Sequence, residues 1–211
     1  MLGQLVNKIS NRYKESGLFG VIFLTIKRLG IFDYLCAFYF YKMSSDLIIG
    51  NPGPPSNIHV KIVSSLEGLD EIIKVLDKRN TFRERLNKGF FSAVIYVDNV
   101  PVGYVWGHVG PGQHREERYG FVIEVETDEV YDFDSYIDPE CRGLGLMKYL
   151  TQGFIEHAKK EYSKSCVTAI VEKTNLRSAR IHERLGFKRM NLQIALKIFS
   201  RSGKFLIRSY S

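Results

Sequence analysis

The stretch Ile137-Asp138-Pro139-Glu140-Cys141-Arg142-Gly143-Leu144-Gly145-Leu146 decides how this chain is interpreted. A strand pattern over 130–137 precedes it. A helical pattern over 146–162, with apolar positions three and four apart, follows it. Glycines let the backbone approach a ligand closely, and the first N–H groups of a helix have no partner within the helix. The stretch therefore predicts a loop that holds an anion such as a phosphate.

Working outward from this loop, strand and helix patterns alternate along the chain. Before the loop we predict a strand over 58–63, a helix over 66–86, and strands over 90–97, 101–109, 119–126 and 130–137. After the helix over 146–162 we predict a strand over 167–171, a helix over 175–185 that Gly186 stops, and a terminal hairpin of 187–199 and 204–209. The fold class is α/β in the broad α+β sense.

Composition excludes several classes of protein. The chain has 211 residues, of which 45% are hydrophobic, so we expect one folded domain with an appendage. Its three cysteines, Cys36, Cys141 and Cys166, are widely spaced, which fits neither a disulfide framework nor a metal site and indicates a reducing, cytoplasmic compartment. Cys141 lies beside the glycine loop, but no histidine–carboxylate pair lies nearby to make it a nucleophile. A dinucleotide-binding fold is not expected, because the pattern GxGxxG is missing.

The formal net charge of +7 is unevenly distributed. Residues 175–211 hold nine Lys and Arg against one acid, whereas residues 119–141 hold eight acids and no base. No nucleic-acid-binding motif accompanies the basic residues, and the acidic strands would repel phosphates, so we do not expect nucleic acid as a partner. The split fits an anionic cofactor and a cationic amine.

The first fifty residues form a separate region, which ends at the Pro- and Gly-rich linker 51–56. Their two apolar runs, 18–26 and 29–41, are too short to span a bilayer, and no signal-peptide cleavage site follows them. We interpret residues 1–50 as a helical appendage. Its helices either pack on the main domain or a partner subunit, or lie on a membrane surface as an interfacial segment, which would make the protein peripheral. Residues 57–211 then form the main domain.

Two motifs in this order resemble those of the GNAT superfamily of acetyl-CoA-dependent N-acetyltransferases. The first is the stretch 137–146. The second is Asn175-x-x-Ser178-x-x-Ile181-His182-Glu183-Arg184-Leu185-Gly186-Phe187, which is similar to the family signature N-x-x-[SA]-x-x-[FL]-Y-E-[KR]-x-G-F. The resemblance covers about 57–211. It implies a mixed, mostly antiparallel sheet flanked by helices, acetyl-CoA as acyl donor, no metal, and a small-molecule amine as acceptor; it is also compatible with a homodimer.

The resemblance assigns cofactor-binding roles to named residues. Backbone groups around Ser135 and Ile137 would pair with the pantetheine arm of the cofactor as if it were an added strand. Amides of the loop would hold the pyrophosphate, and Asn175 would reach the cofactor, although its position also suits a helix N-cap. The assigned loop residues are Arg142, Gly143, Leu144, Gly145 and Met147.

The chain departs from the family pattern at three positions. Met147 replaces a small residue, His182 replaces the tyrosine proposed to protonate the departing thiolate, and Tyr131 stands where some relatives carry a catalytic glutamate. A histidine also donates protons, since its ordinary pKa is near 6.5, so His182 is either the general acid or a helix-surface residue without a chemical role.

The base that deprotonates the amine is sought among the carboxylates before the loop. We assign this role to Asp134, with Asp132 in reserve, because the family strand bulges here and strict alternation fails. Glu124 and Glu126 are candidates to anchor the amine.

The leading function is direct transfer of an acetyl group from acetyl-CoA to a primary amine in a ternary complex. The pattern resembles acetyltransferases found with surface-polysaccharide enzymes, which suggests an amino sugar as acceptor. Two alternatives remain. One is an acyl-CoA sensor without turnover, which the three departures favour, and the other is a long-chain acyltransferase at a membrane, which the aromatic run 29–41 favours.

Overall fold

The computed structural model describes residues 32–46, 53–116, 121–198 and 206–210. Two compact units divide the chain. The central unit takes Met43–His114 and Val122–Ala169, and the terminal unit takes the segments 1–42, 115–121 and 170–211. The glycine loop belongs to the central unit, and the second motif belongs to the terminal unit.

The sheet of the central unit is mixed and mostly antiparallel, as predicted. Its strands run in the order β2, β3, β4, β7, and the first part of β8 joins β7 as a parallel neighbour. Asp98 and Asn99, with φ angles of 50° and 64°, form the two-residue turn between β3 and β4, which is the conformation that matches strand twist in tight hairpins. The strand bounds are Ile58–Val63 (β2), Phe91–Val97 (β3), Val100–Val109 (β4), Glu129–Ile137 (β7) and Cys166–Glu172 (β8).

Helices cover both faces of this sheet. On one face, Phe82 of α2 packs against Tyr104 and Trp106 of β4, with ring centroids 5.2 and 5.5 Å away. On the other face, Phe154 of α3 stacks on Phe91 of β3 at 5.0 Å. The helix bounds are Leu69–Ile73 (α1), Arg79–Asn87 (α2) and Leu146–Tyr162 (α3), the last as the sequence predicted.

The prediction of one continuous helix over 66–86 is wrong. The chain leaves the helical path after Lys74 and re-enters it at Arg79, so that two short helices replace one. The side chain of Asp77 accepts a hydrogen bond from the Arg79 backbone N–H at 3.4 Å. Such local bonds offer the backbone an alternative to the helical ladder, which explains the break.

Two further strands, β5 (Gly112–Arg115) and β6 (Val122–Val125), form a small separate sheet. The strand predicted over 119–126 is therefore shorter among the described residues, and 117–120 lie outside them. Glu124 lies on β6 and accepts a hydrogen bond from Gln113 of β5 at 2.7 Å.

The terminal unit contains an antiparallel set of strands in the order β10, β9, β1, together with helix α4 (Leu176–Arg184). Strands β9 (Lys188–Ile198) and β10 (Leu206–Tyr210) confirm the predicted terminal hairpin. Strand β1 (Phe32–Ser44) pairs with β9.

Strand β1 overturns part of the helical interpretation of residues 1–50. Tyr41 and Met43 are buried while Lys42 and Ser44 are exposed, a period of two that only a strand produces. Aromatic residues are common in strands and this run is dense in them, so its composition is compatible with a strand, and antiparallel pairing with β9 makes it one. The rest of the predicted appendage, 1–31, lies outside the described residues, as does 47–52, most of the predicted linker. No helix in the described part of the chain is long and apolar enough to cross a membrane.

Candidate functional site

The glycine loop has the geometry of an anion cradle. Gly143 and Gly145 have φ angles of 93° and 73°, in the left-handed region that glycine adopts without steric cost. A Cβ added at either position would meet no protein atom within 4 Å, so the space beside both glycines is open. Leu144 between them is 63% exposed. The loop therefore presents bare backbone to whatever binds there.

Helix α3 begins directly at this loop. Gly145 is its N-cap and offers no side chain to satisfy the first amides of the helix. In the described part of the chain, the N–H groups of Gly143, Leu144 and Gly145 donate to no acceptor. Free N–H groups at a helix start attract negative charge, and the helix dipole adds about 0.3–1 kcal/mol at exposed positions. The residues present thus fit a phosphate group, and Met147, half-buried in the first turn of α3, has no atom within 4 Å of a Cβ added at Gly143 or Gly145.

Arg142 fastens the loop to the end of β7. Its Nε donates to the carbonyl oxygen of Ile137 at 3.0 Å, and its guanidinium lies over the ring of Tyr136 at 5.9 Å. The side chain is exposed and carries a positive charge beside the cradle. Arg142 therefore shapes the loop and adds to its attraction for an anion.

Strand β7 carries the predicted bulge. Tyr104 pairs with Tyr136 and Trp106 pairs with Phe133, so three steps along β7 match two along β4. Asp134, at the extra position, has a φ of 47°, which aspartate tolerates better than most residues. A bulge re-aims side chains, and here it decides where the two candidate bases lie.

The free edge of β7 begins one residue before this bulge. Its parallel pairing with β8 ends at Asp132, which faces Ala169. From Phe133 to Ile137 the strand pairs with β4 alone among the strands of the described residues. Ser135 is exposed on this segment. Backbone groups without a ladder partner are what an extended ligand needs in order to bind as an added strand.

The side chain of Asp134 is held by Arg85 of α2, a residue that sequence reasoning missed. Arg85 Nη1 donates to Asp134 Oδ2 at 2.5 Å, and the two side chains are 6% and 29% exposed. The guanidinium lies over the rings of Phe133 and Trp106, at 5.1 and 5.3 Å from their centroids. The available signal was its position: Arg85 lies three residues from Phe82 and next to Leu86, on the apolar face of its helix.

Asp132 lies on the opposite face of the sheet from Asp134. Its partner across the ladder is Gly107, whose Cβ direction points at Phe91 and Phe154 on the α3 side. Burial raises the pKa of Asp132 to about 7, and no hydrogen bond or ion pair to its carboxylate occurs within the described ranges. The structure thus separates the two candidate bases rather than bringing them together.

A histidine pair on the α2 side also escaped the sequence analysis. Nδ1 of His108 lies 3.3 Å from Nδ1 of His114, so one ring donates to the other. Burial lowers the pKa of His108. For His114, burial and then the charges of His108, Arg85 and Lys88 lower the pKa to about 3. Both rings are therefore neutral near pH 7, and the ring of Phe133 lies 4.3 Å from that of His114.

The remaining acidic and aromatic candidates of the central unit have structural partners. Tyr131 is fully buried, with its ring 4.8 Å from that of His114. The Glu124 carboxylate accepts from Gln113. For Glu126 only the backbone N–H is engaged, by Glu129 Oε2 at 3.3 Å, and its side chain is exposed. Cys141 is half-buried, and all three cysteines are free.

The second motif lies in the terminal unit. Asn175 caps α4, since its Oδ1 accepts from the Ser178 N–H at 3.1 Å, which confirms the N-cap interpretation. Nδ1 of His182 lies 2.9 Å from the Ser178 carbonyl oxygen, so the neutral ring carries its proton on Nδ1. Burial lowers the pKa of His182, and its ring lies 5.5 Å from that of Tyr41. The Tyr41 hydroxyl donates to Glu183 at 3.4 Å.

The fold and the loop together define an α/β protein with an anion-binding helix start beside a free strand edge. Residues 64–187, more than half of the chain, match the family model described as Acetyltransferase (GNAT) family. The chain belongs to this family. Among curated proteins, none matches the chain.

Solved structures share this fold. One is a functionally unknown conserved protein from Staphylococcus epidermidis ATCC 12228, with 12% identity, a TM-score of 0.54 and coverage of 81% of this chain and 63% of that one. A tandem GNAT protein from the clavulanic acid biosynthesis pathway has 13% identity and a TM-score of 0.53, with coverage of 82% of this chain and 57% of that one. A GCN5-related N-acetyltransferase from Kribbella flavida has 13% identity and a TM-score of 0.54, with coverage of 80% of this chain and 60% of that one. The chain thus covers less than two thirds of the length of each.

Proposed function

We propose that the protein transfers an acetyl group from acetyl-CoA to a primary amine by direct attack in a ternary complex, with an amino sugar as acceptor. The observation that carries this proposal is the open cradle of Gly143 and Gly145 beside the free edge of β7. A cradle for a pyrophosphate and an edge for an extended arm are the two features that the cofactor of this family requires.

In this proposal the chain binds and orients, and acetyl-CoA supplies the thioester carbon that the amine attacks. The amides from Arg142 to Met147 hold the pyrophosphate, and the backbone of Ser135 and Ile137 pairs with the pantetheine arm. Asn175 contacts the cofactor in addition to capping α4. Fixing the reacting groups together supplies a large part of such catalysis, since effective molarities reach about 10⁵–10⁸ M in well-oriented systems.

Asp134 is the proposed base for the amine. Arg85 occupies Oδ2, which leaves Oδ1 to accept a proton from the acceptor nitrogen. The ion pair also fixes the direction of the carboxylate at the bulge, so Arg85 is a positioning residue in this scheme. Asp132 is the less suitable base, because it lies on the other face of the sheet.

His182 is the proposed acid that protonates the departing thiolate. With Nδ1 committed to the Ser178 carbonyl, only the imidazolium has a proton to give from Nε2. Because burial lowers the pKa of His182, the acid form is lost below the ordinary value near 6.5. Turnover that depends on this acid therefore falls as the pH rises through that lowered pKa.

A sensor that binds acyl-CoA without turnover is the second candidate. The ion pair of Asp134 with Arg85 favours it, because Arg85 already occupies one oxygen of the carboxylate that would take the proton of the amine. Tight cofactor binding without thiol release over all classes of amine would identify the sensor.

The deciding experiment measures free thiol released from acetyl-CoA with amino sugars, nucleotide-linked amino sugars, peptides and polyamines as acceptors. We expect release with an amino sugar.

Gly145→Ala should abolish the thermal shift that acetyl-CoA produces. Gly89→Ala is the matched control, because Gly89 also has a positive φ, 79°, and open space around it, but ends α2 rather than starting α3. Both variants bear a similar backbone cost of about 1–2 kcal/mol, so only the loss of cofactor binding separates them. An unchanged shift in Gly145→Ala would remove the loop from the binding site.

A further inference from the structure

The terminal unit carries an exposed row of arginines on α4. Arg177, Arg180 and Arg184 are spaced by three and four residues, so they lie within a sector of about 60° on one side of the helix. All three are exposed, and no ion pair engages them within the described residues. Lys188, the first residue of β9, is exposed as well. Glu183, the one acidic residue of α4, accepts a hydrogen bond from the Tyr41 hydroxyl and forms no ion pair with the row among the described residues, so the three guanidinium groups are available to an external anion.

The charge of the whole chain is concentrated in this unit. By sequence, the segments of the terminal unit hold 18 Lys and Arg against 6 Asp and Glu, a net charge of +12. The central unit holds 12 against 17, a net charge of −5. The net charge of +7 for the whole chain is therefore the sum of a strongly basic terminal unit and an acidic central unit. Charges of one sign on one unit generate a field that attracts an extended anionic surface.

Apolar side chains border the arginine row. Leu176 and Ile181 are half-buried at its two edges, and Met190 on β9 is 49% exposed. Basic residues flanked by apolar ones suit an interface that offers both headgroup charge and hydrocarbon. A nucleic acid would instead favour aromatic platforms or groove-reading side chains beside the cations, and none accompanies the row on α4.

We infer that the face of α4 formed by Arg177, Arg180 and Arg184 docks the protein on a bilayer rich in anionic lipid. The cations attract the headgroups, and Leu176, Ile181 and Met190 contact the acyl boundary. The inference concerns where the enzyme works rather than what it transfers, so it is independent of the acceptor. Each basic residue near an anionic membrane contributes about 1 kcal/mol, so three of them change partitioning by roughly a hundredfold.

Vesicle flotation with the full-length protein tests this docking. Phosphatidylcholine vesicles with phosphatidylglycerol should carry the protein upward, and pure phosphatidylcholine vesicles should not. The triple variant Arg177→Gln, Arg180→Gln, Arg184→Gln should lose about a hundredfold in partitioning, and added salt should weaken the wild type in the same way. The control Lys78→Gln, Arg83→Gln, Lys88→Gln removes the same charge from exposed positions of the central unit and should float like the wild type.

Two results would overturn the inference. One is a wild type that stays at the bottom of the gradient with anionic vesicles. The other is a triple α4 variant that floats as well as the wild type. A rise in the KM of that variant for acetyl-CoA would then assign the row to a nucleotide site. Preferential binding of single-stranded DNA over vesicles in direct competition would likewise assign the face to nucleic acid.

Discussion

The two units of this molecule place their charged groups differently. In the central unit the notable ones are withdrawn from solvent: Arg85 is buried among aromatic rings, His114 is buried and neutral, and burial holds Asp132 in its protonated form at acidic pH. In the terminal unit Arg177, Arg180 and Arg184 are exposed along one helix side. Buried charged groups exchange protons or form ion pairs with partners at fixed positions, whereas exposed charged groups bind extended surfaces of opposite charge. Substitutions in the first set should therefore change turnover and the pH dependence of stability, and substitutions in the second set should change docking.

The largest effect is expected at Asp134. Asp134→Asn keeps the size of the side chain and a hydrogen bond to Arg85 but removes the basicity, so kcat should fall by about a hundredfold to ten-thousandfold. The KM for acetyl-CoA should change little. Asp98→Asn is the matched control, since Asp98 also has a positive φ, 50°, in a hairpin turn away from the loop. Steady-state kinetics at wild-type level in Asp134→Asn would leave the proton transfer to water.

The next effect concerns Arg85, and it separates positioning from stability. Arg85→Met removes the ion pair and leaves an apolar side chain among Phe82, Trp106 and Phe133, so kcat should fall with the KM for acetyl-CoA unchanged. Arg85→Lys should restore part of kcat. In a double-mutant cycle with Asp134→Asn the two losses should not add, because both act through one pair. Additive losses would mean that Arg85 only supports the packing.

His182 tests whether the terminal unit also takes part in proton transfer. His182→Phe should lower kcat, and His182→Tyr, which restores the usual family residue, should retain much of it. The wild-type rate should fall at a pH below the ordinary histidine value, because burial lowers the pKa of His182. The tyrosine variant should keep its activity to higher pH, since a phenol loses its proton only near pH 10. Identical pH–rate profiles for the wild type and His182→Phe would remove the histidine from the chemistry.

The smallest effects concern pH and stability in the central unit. His114 has a folded-state pKa of about 3, below the unfolded value near 6.5, so the unfolded chain binds the extra proton between these limits. Its contribution to stability is complete above pH 6.5 and falls as the pH drops toward 3, by at most about 1.4 kcal/mol per pH unit. His114→Phe should lose less stability than the wild type between pH 7 and 5, as measured by urea midpoints.

Asp132 should show the opposite dependence. Its folded-state pKa of about 7 lies above the unfolded value near 3.9, so the folded chain holds the extra proton and stability falls as the pH rises through this window. Asp132→Asn should therefore be more stable than the wild type at pH 8 and similar to it at pH 4. A variant that is less stable at pH 8 would show that the ionised carboxylate has a favourable partner.

Local patterns allowed much of this fold to be predicted. The glycine loop, α3 and the terminal hairpin follow from periodicity and turn chemistry within short stretches, and the structure confirms them. Local patterns did not predict the strand β1 or the break between α1 and α2. Aromatic residues suit both a buried helix and a strand, and only pairing with β9 decides between them.

The residues of the candidate site also fall into two groups, those that local sequence patterns predict and those that only the fold brings together. Arg142, Gly143 and Gly145 could be identified because their chemistry depends on neighbours in sequence. The ion pair of Arg85 with Asp134 joins residues 49 positions apart, and the faces of Asp132 and Asp134 depend on one left-handed residue. Likewise, His108 and His114 read as unremarkable strand residues until the fold brings their rings together. Long-range pairing of this kind leaves no mark in a single sequence.

The ion pair between α2 and the bulge of β7 also determines the order in which activity and structure are lost when the protein unfolds. Helix α2 has nine residues, too few to be stable alone, so its docking depends on the packing of Phe82, Arg85 and Leu86. Segments of this size open locally at a lower free energy than the whole domain. When α2 detaches, Asp134 loses its tether while the sheet stays intact. In a urea titration, enzymatic activity should therefore disappear before the circular dichroism of the sheet, and on dilution from high urea it should return after the sheet signal.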